Sequence, residues 1–391
     1  MAWGEQPLLT ERFEAVRTFL KQACKHWKQG SSYDGWVAAQ LREANRLMPL
    51  VVERLRTKMQ ELQNHQTCGG WNALAVDGSQ ATCPRTAENQ QAMGDLGRPD
   101  GMPQMSLTGI LHLPTGLPWD FRVGPGTDSE RVHLRAMLDD LPDGSLLVAD
   151  AGFVGYDLCR TLYQNKQHFL LRVGGNLHLI NSLGYDFEVD GDNVFLWPAK
   201  QQNQNHPPLR LRLIVLHDEP KQPVYLVTSV LDCSKLSDGQ ADQIYQARWG
   251  IEVQFRTIKQ TIGHHRMRSR TPDTCYLEMS WAFLGVWALQ LMTASKIAAA
   301  GGAPDNLSAA QARNTVRRVL RHQPPCPRTR QGLSRVLARC LIDSYVRRGD
   351  KASRGYPRKK RQKPPNPPII KSPTSLQLRK AKQLTPISMQ I

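Results

Sequence analysis

Several things are missing from this 391-residue chain: a C-x-x-C pair, a repeat of fixed period, and an apolar run of about 18 residues free of polar interruption. Its eight cysteines, at 24, 68, 83, 159, 233, 275, 326 and 340, are scattered. That spacing argues against a disulfide framework and suits a reducing cytoplasm, which is the location expected. His264 and His265 with Cys275 are the nearest approach to a ligand group, and they match no zinc spacing. The N-terminal MAWGEQPLLTERFEAV lacks the pattern of a signal peptide. The most apolar stretch, MSWAFLGVWALQLMTAS at 279–295, is broken by Ser280, Gln290 and Thr293. It reads as a buried core helix, and no membrane partner is expected.

Acidic residues are scarce at one end only. The formal net charge is +17, yet residues 1–300 carry 30 basic and 31 acidic side chains. Residues 301–345 hold eight arginines against Asp305 and Asp343, and residues 346–391 hold 13 Lys/Arg against Asp350. A near-neutral body with appended basicity points to a polyanion as partner, with the tail as an electrostatic arm. Its Pro, Lys and Arg content, as in YPRKKRQKPPNPP, predicts disorder over 346–391.

Residues 1–66 read as a small helical unit, ended by CGGW at 68–71. A short apolar run, ALAV at 73–76, then delivers Asp77 before Gly78-Ser79. The segments MSLTGILHL and WDFRV flank PTGLP, a hairpin signal. A helix is expected from Ser129 to Leu141. The run SLLVA at 145–149 delivers Asp150 before Ala151-Gly152. A helix at 155–164 and the strand HFLLRV at 168–173 follow. Residues 174–236 change to short strands punctuated by Asn, Asp, Gly and Pro, a β-rich insertion. A long helix is expected over 237–262, opened by a Ser237–Gln240 capping box and stopped at Gly263, with the apolar helix completing a unit to residue 300. Residues 301–345 form a basic helical region in which Arg313, Arg317 and Arg321 recur every four residues on one face, a candidate DNA contact.

Two acids at the ends of short buried strands, set side by side if those strands are parallel neighbours, have the oxygen donors a hard cation takes. The third acid is in YQARWGIEVQFRTIK. At about 100° per residue, Ile251, Phe255 and Ile258 share a core-facing stripe, while Tyr245, Arg248, Glu252 and Lys259 share an adjacent edge.

The Y-x2-R-x3-E-x6-K spacing, taken with Asp77 and Asp150, resembles the DDE transposases of bacterial insertion sequences in the branch named for that signature. The resemblance covers about residues 70–290. It implies a ribonuclease-H-like mixed α/β fold, with 67–173 and 237–300 as the catalytic core and 174–236 as the β-strand insertion before the Glu-bearing helix. It implies that Asp77, Asp150 and Glu252 ligate two Mg²⁺ ions, for which Mn²⁺ could substitute. Arg248, Lys259, Arg256, Tyr245 and Arg172 would contact the DNA backbone, and Tyr225, standing where the branch has Trp, would stack on a flipped base. The partners implied are double-stranded DNA of the transposon ends and target, and a second copy of the chain in a synaptic dimer. Alternatives at this level are a non-catalytic DNA-binding derivative, another ribonuclease-H-like nuclease, and a nucleoid-associated protein acting through its basic tail.

Overall fold

The computed structural model describes residues 2–24, 30, 32–62, 67–97, 101–185, 193–216, 223–327, 331–342 and 366–388. Among the described residues the strands are β1 Ala73–Thr82, β2 Gln104–His112, β3 Leu117–Pro125, β4 Leu146–Ala149, β5 His168–Val173, β6 His178–Ile180, β7 Asn193–Leu196, β8 Leu209–Leu216, β9 Val224–Thr228 and β10 Ile369–Lys371. The chain divides into two compact units. The first comprises Met1–Gln66, Val76–Met137 and Trp249–Ile342, and the second Thr67–Ala75, Leu138–Arg248 and Asp343–Ile391. These units cut across the six stretches marked out by composition. The N-terminal helices group with Asp77 and Glu252, and the β-rich insertion groups with Asp150.

In the first unit β1, β2 and β3 lie side by side, β2 and β3 antiparallel from Met105↔Pro125 to His112↔Leu117. Every residue of β2 is buried, as a strand covered on both faces must be. Polar residues on it find partners: the Thr108 hydroxyl lies 3.0 Å from His133 Nδ1, and His112 Nδ1 lies 2.9 Å from Thr115 Oγ1. The apolar run forms the helix Pro272–Ala299, whose Trp287 and Phe283 are almost fully buried. Phe283 stacks on Phe121 of β3 at 4.3 Å. By length and composition this helix could cross a membrane, but 61% of its most apolar window is buried inside the structure. The N-terminal helix Tyr33–Gln60 is tied to β3 through Arg56, which meets the buried Asp120 carboxylate at 2.8 Å.

The arginine row of the helix Ala309–Leu320 is engaged within the chain. Arg317 donates to the Trp3 carbonyl at 2.7 Å, Arg321 pairs with Glu5, and Arg313 donates to the Thr261 carbonyl. Two of the three arginines of the expected DNA-facing stripe thus hold the N-terminal segment, because guanidinium groups satisfy carbonyl and carboxylate oxygens as well as phosphates.

In the second unit the strand order is β10-β6-β7-β8-β9-β5-β4, with the first residues of β1 beyond β4. β4 and β5 are parallel, and β7, β8 and β9 form an antiparallel meander. The Leu146 N–H donates to the Asn72 carbonyl just ahead of β1. The tail departs from its expected disorder in one part. Ile369–Lys371 adds to β6 in parallel, Ser375–Ala381 is a helix with a Thr374–Gln377 capping box, and Ile387 exchanges backbone hydrogen bonds with Pro208 and Arg210. Composition argued for a solvated chain, but a strand edge accepts any backbone with free N–H and C=O groups. Residues 346–365, including the most basic run, lie outside the described residues.

Candidate active site

Asp150 follows the end of β4, whereas β1 runs on past Asp77 to Thr82, but the two acids are built the same way locally. Ala73–Val76 are fully buried, and burial loosens at Asp77, whose Oδ1 accepts the Gly78 N–H at 2.8 Å. Leu146–Ala149 are likewise buried before Asp150, whose Oδ1 accepts the Ala151 N–H at 2.7 Å. In both cases a dry strand carries the backbone out to a carboxylate whose geometry is set by the next amide.

In the second unit the β4–β5 register, Ala149↔Leu171, puts Asp150 beside Arg172. The Arg172 guanidinium stands 3.9 Å from Asp150 Oδ1, and the carboxylate stays 44% exposed. Tyr245 and Arg248 come to the same place at the end of the helix Asp238–Ala247, whose Ser237–Gln240 capping box forms as expected. The Arg248 guanidinium lies 5.5 Å from the centre of the Tyr245 ring. Burial raises the Tyr245 phenol above its ordinary value, the Asp150 carboxylate adds to that, and Arg248 and Arg172 oppose it. Its buried hydroxyl makes no well-formed hydrogen bond among the described residues. Tyr225, on β9, is paired with Val173 and Val215.

In the first unit the expected single helix of 237–262 is interrupted. After Arg248 come Trp249–Arg256 and then a π-helical turn, Thr257–Thr261, closed by the Ile262 N–H to the Thr257 carbonyl at 2.9 Å. Gly263, at φ 87°, ends it. Ile251, Phe255 and Ile258 are buried, and Phe255 packs on Gly109 of β2. Gln254 and Gln290 exchange two amide hydrogen bonds that fix this segment to the helix Pro272–Ala299. That anchoring leaves Glu252 half-buried and Arg256 exposed. The Lys259 ammonium donates to Ser79 Oγ at 2.6 Å.

The structure thus gathers Asp150, Arg172, Tyr245 and Arg248 in one unit, and sets Asp77, Glu252, Arg256 and Lys259 in the other. Among the described residues, no three His, Cys, Asp or Glu side chains stand close enough together to hold a metal ion. Two residues escaped the sequence reading. Ser79 shares a strand face with Asp77 by the two-residue period, a signal that was available. Glu130 resembled an ordinary acid in a first helical turn, yet a Cβ placed on Gly78 would lie 1.8 Å from its Oε1. Only the tertiary packing brings that carboxylate against the residue after Asp77.

Residues 71–287 match the family described as the transposase DDE domain. The chain is 27% identical over 349 residues to the transposase InsG of insertion sequence element IS4 from Escherichia coli, covering 84% of this chain and 77% of that protein. It is 20% identical over 201 residues to a transposase of insertion sequence element IS4SA from Synechocystis, covering 50% of this chain and 55% of that one. Among solved structures, a piggyBac transposase synaptic complex with hairpin DNA aligns with TM-score 0.40 and 13% identity, over 73% of this chain and 60% of that one, a likeness too slight to carry an argument. With more than half of its residues inside the family match and a bacterial insertion-sequence enzyme alongside most of its length, the chain belongs to the DDE transposases.

Proposed function

We propose that this transposase binds the terminal inverted repeats of its insertion sequence and catalyses metal-dependent strand cleavage and strand transfer, in a cut-and-paste reaction passing through a DNA hairpin. The observation that carries this reading is the cluster of Asp150 with Arg172, Tyr245 and Arg248. It is a carboxylate after a strand end that is faced by the Arg172 guanidinium from the next strand and by the Tyr245 phenol from a helix end, with Arg248 against the Tyr245 ring. The 3.9 Å separation and the 44% exposure of the acid leave its oxygens open to a further ligand.

Asp77, Asp150 and Glu252 are the residues that would hold the metal. Their carboxylate oxygens suit a hard cation such as Mg²⁺, in a pair of ions, or Mn²⁺ in its place. None of the three is sealed from solvent. When bound, such ions supply Lewis-acid charge at the attacking and leaving oxygens of an in-line displacement.

The remaining groups act on DNA. Arg172 and Arg248 take phosphate oxygens on the Asp150 side, and Lys259 and Arg256 do so on the Glu252 side. Tyr245 donates its hydroxyl to a phosphate oxygen. Tyr225 offers a stacking face to an unstacked base, as a tight hairpin requires. The N-terminal helices read the terminal repeat, and two copies of the chain assemble the two ends in the bacterial cytoplasm.

The test is cleavage of a labelled duplex carrying the element's own ends, comparing wild type with Glu252→Ala, with and without Mg²⁺. Metal-dependent nicking by wild type, lost in the variant while DNA binding persists, is the expected result. Equal activity in both proteins would remove Glu252 from the site, and binding without cleavage by either would favour a non-catalytic DNA-binding derivative.

A further inference from the structure

The π-helical turn Thr257–Thr261 breaks the regular path of the helix that carries Glu252, and Lys259 lies at its centre. Such turns admit an extra residue and re-aim the side chains on them, and they recur at functional sites. This one is held from two directions within the first unit. The Arg313 guanidinium satisfies the Thr261 carbonyl, and Ser79 Oγ accepts the Lys259 ammonium at 2.6 Å. Ser79 follows Asp77 by two residues on β1, so the two side chains leave the same face of that strand. Gly78 between them points to the other face, where Glu130 occupies the space of its missing side chain.

A lysine on a helix surface samples many rotamers, and it surrenders that freedom whenever it grips a phosphate. Lys259 is half-buried and already gripped. We propose that Ser79 is a positioning residue, which holds the Lys259 ammonium over β1 beside Asp77 so that it meets the DNA backbone already oriented. The proposal rests on the reading of Lys259 as a DNA contact. It adds a residue outside the Y-R-E-K set and gives the π turn a task. Ser79 acts through Lys259 and need touch no DNA itself.

The experiment uses the full chain and four variants: Ser79→Ala, Ser79→Thr, Lys259→Ala and the double variant Ser79→Ala/Lys259→Ala, with melting curves to confirm folding. Single-turnover cleavage of end DNA is measured beside the rate of reductive methylation of Lys259 in the DNA-free protein, followed by mass spectrometry. Loss of one charge-assisted hydrogen bond predicts cleavage slowed on the order of tenfold in Ser79→Ala. Ser79→Thr keeps the hydroxyl and should stay within about twofold of wild type by the same reasoning. The double variant should be no slower than Lys259→Ala, and Lys259 should methylate faster once Ser79 is alanine. Multiplicative losses in the double variant, or wild-type cleavage and methylation in Ser79→Ala, would overturn the proposal. If wild type itself does not cleave, the function proposed above fails, and the methylation rates still decide: faster labelling in Ser79→Ala supports the positioning role, and an unchanged rate refutes it.

Discussion

Asp77 and Asp150 are alike for one residue in each direction and different beyond that. Each follows four fully buried strand residues and each accepts a hydrogen bond from the amide that follows, although β1 continues past Asp77 while β4 ends before Asp150. Past that point Asp150 is faced by Arg172, fixed by strand register, and by Tyr245 from a helix end, with Arg248 against the Tyr245 ring. The residues that follow Asp77 meet groups that no local rule supplies: Glu130 against Gly78 and Lys259 on Ser79. One acid is built by neighbouring strands and the other by packing over long sequence distances.

The largest effects should be common to both acids. Asp77→Asn and Asp150→Asn are each expected to lower single-turnover cleavage on the order of 10³-fold while end-DNA affinity stays near wild type. A loss confined to one of them would break the symmetry of the pair. On the Asp150 side, Arg172→Ala should slow cleavage about 10- to 100-fold and reduce the salt dependence of DNA binding by about one phosphate contact. Tyr245→Phe, which removes only the donor, should lose about 3- to 30-fold. Salt titration and kinetics on the same DNA check both, and an unchanged salt slope in Arg172→Ala would confine that residue to orienting Asp150.

Smaller effects distinguish the Asp77 side by stability. Gly78→Ala must displace the Glu130 carboxylate and should lower stability by about 1–3 kcal/mol, read from urea unfolding. The corresponding Gly152→Ala has open space at its Cβ and should be nearly silent. The Asp77 unit should also be sensitive to acid. His112 on β2 is 1% exposed, and burial lowers its pKa to about 4 from 6.5. The unfolded state therefore takes up the proton first as pH falls, and stability is lost between about pH 6.5 and 4, up to on the order of 3 kcal/mol. Urea midpoints across that window should fall for wild type and flatten for His112→Asn, and parallel profiles would remove His112 as the cause.

Much of this comparison was legible in the residues, and the misreadings have a common source. The apolar runs ending in Asp77 and Asp150 declared both strands because burial there is continuous and local. The capping box at Ser237 and the stop at Gly263 were readable for the same reason. The wheel over 237–262 assumed one uniform helix, whereas the π turn at Thr257–Thr261 is held by Ser79 and Arg313, both distant in sequence. The row Arg313, Arg317 and Arg321 is periodic as expected, and its partners within the chain are the Thr261 and Trp3 carbonyls and Glu5, which periodicity does not encode. Residues 366–388 looked solvated because composition does not report a strand edge waiting elsewhere in the chain.

By itself the sequence determined the acids, the cations spaced around Glu252, and the short strands and capped helices that carry them. These follow from periodicity, turn chemistry and caps, which act within a few residues. The tertiary structure alone decided which cations face which acid, that Ser79 receives Lys259, that Glu130 fills the space over Gly78, and that the C-terminal segment completes a sheet. Those are contacts between groups far apart along the chain, settled by burial and hydrogen-bond satisfaction over a whole unit rather than by any local pattern.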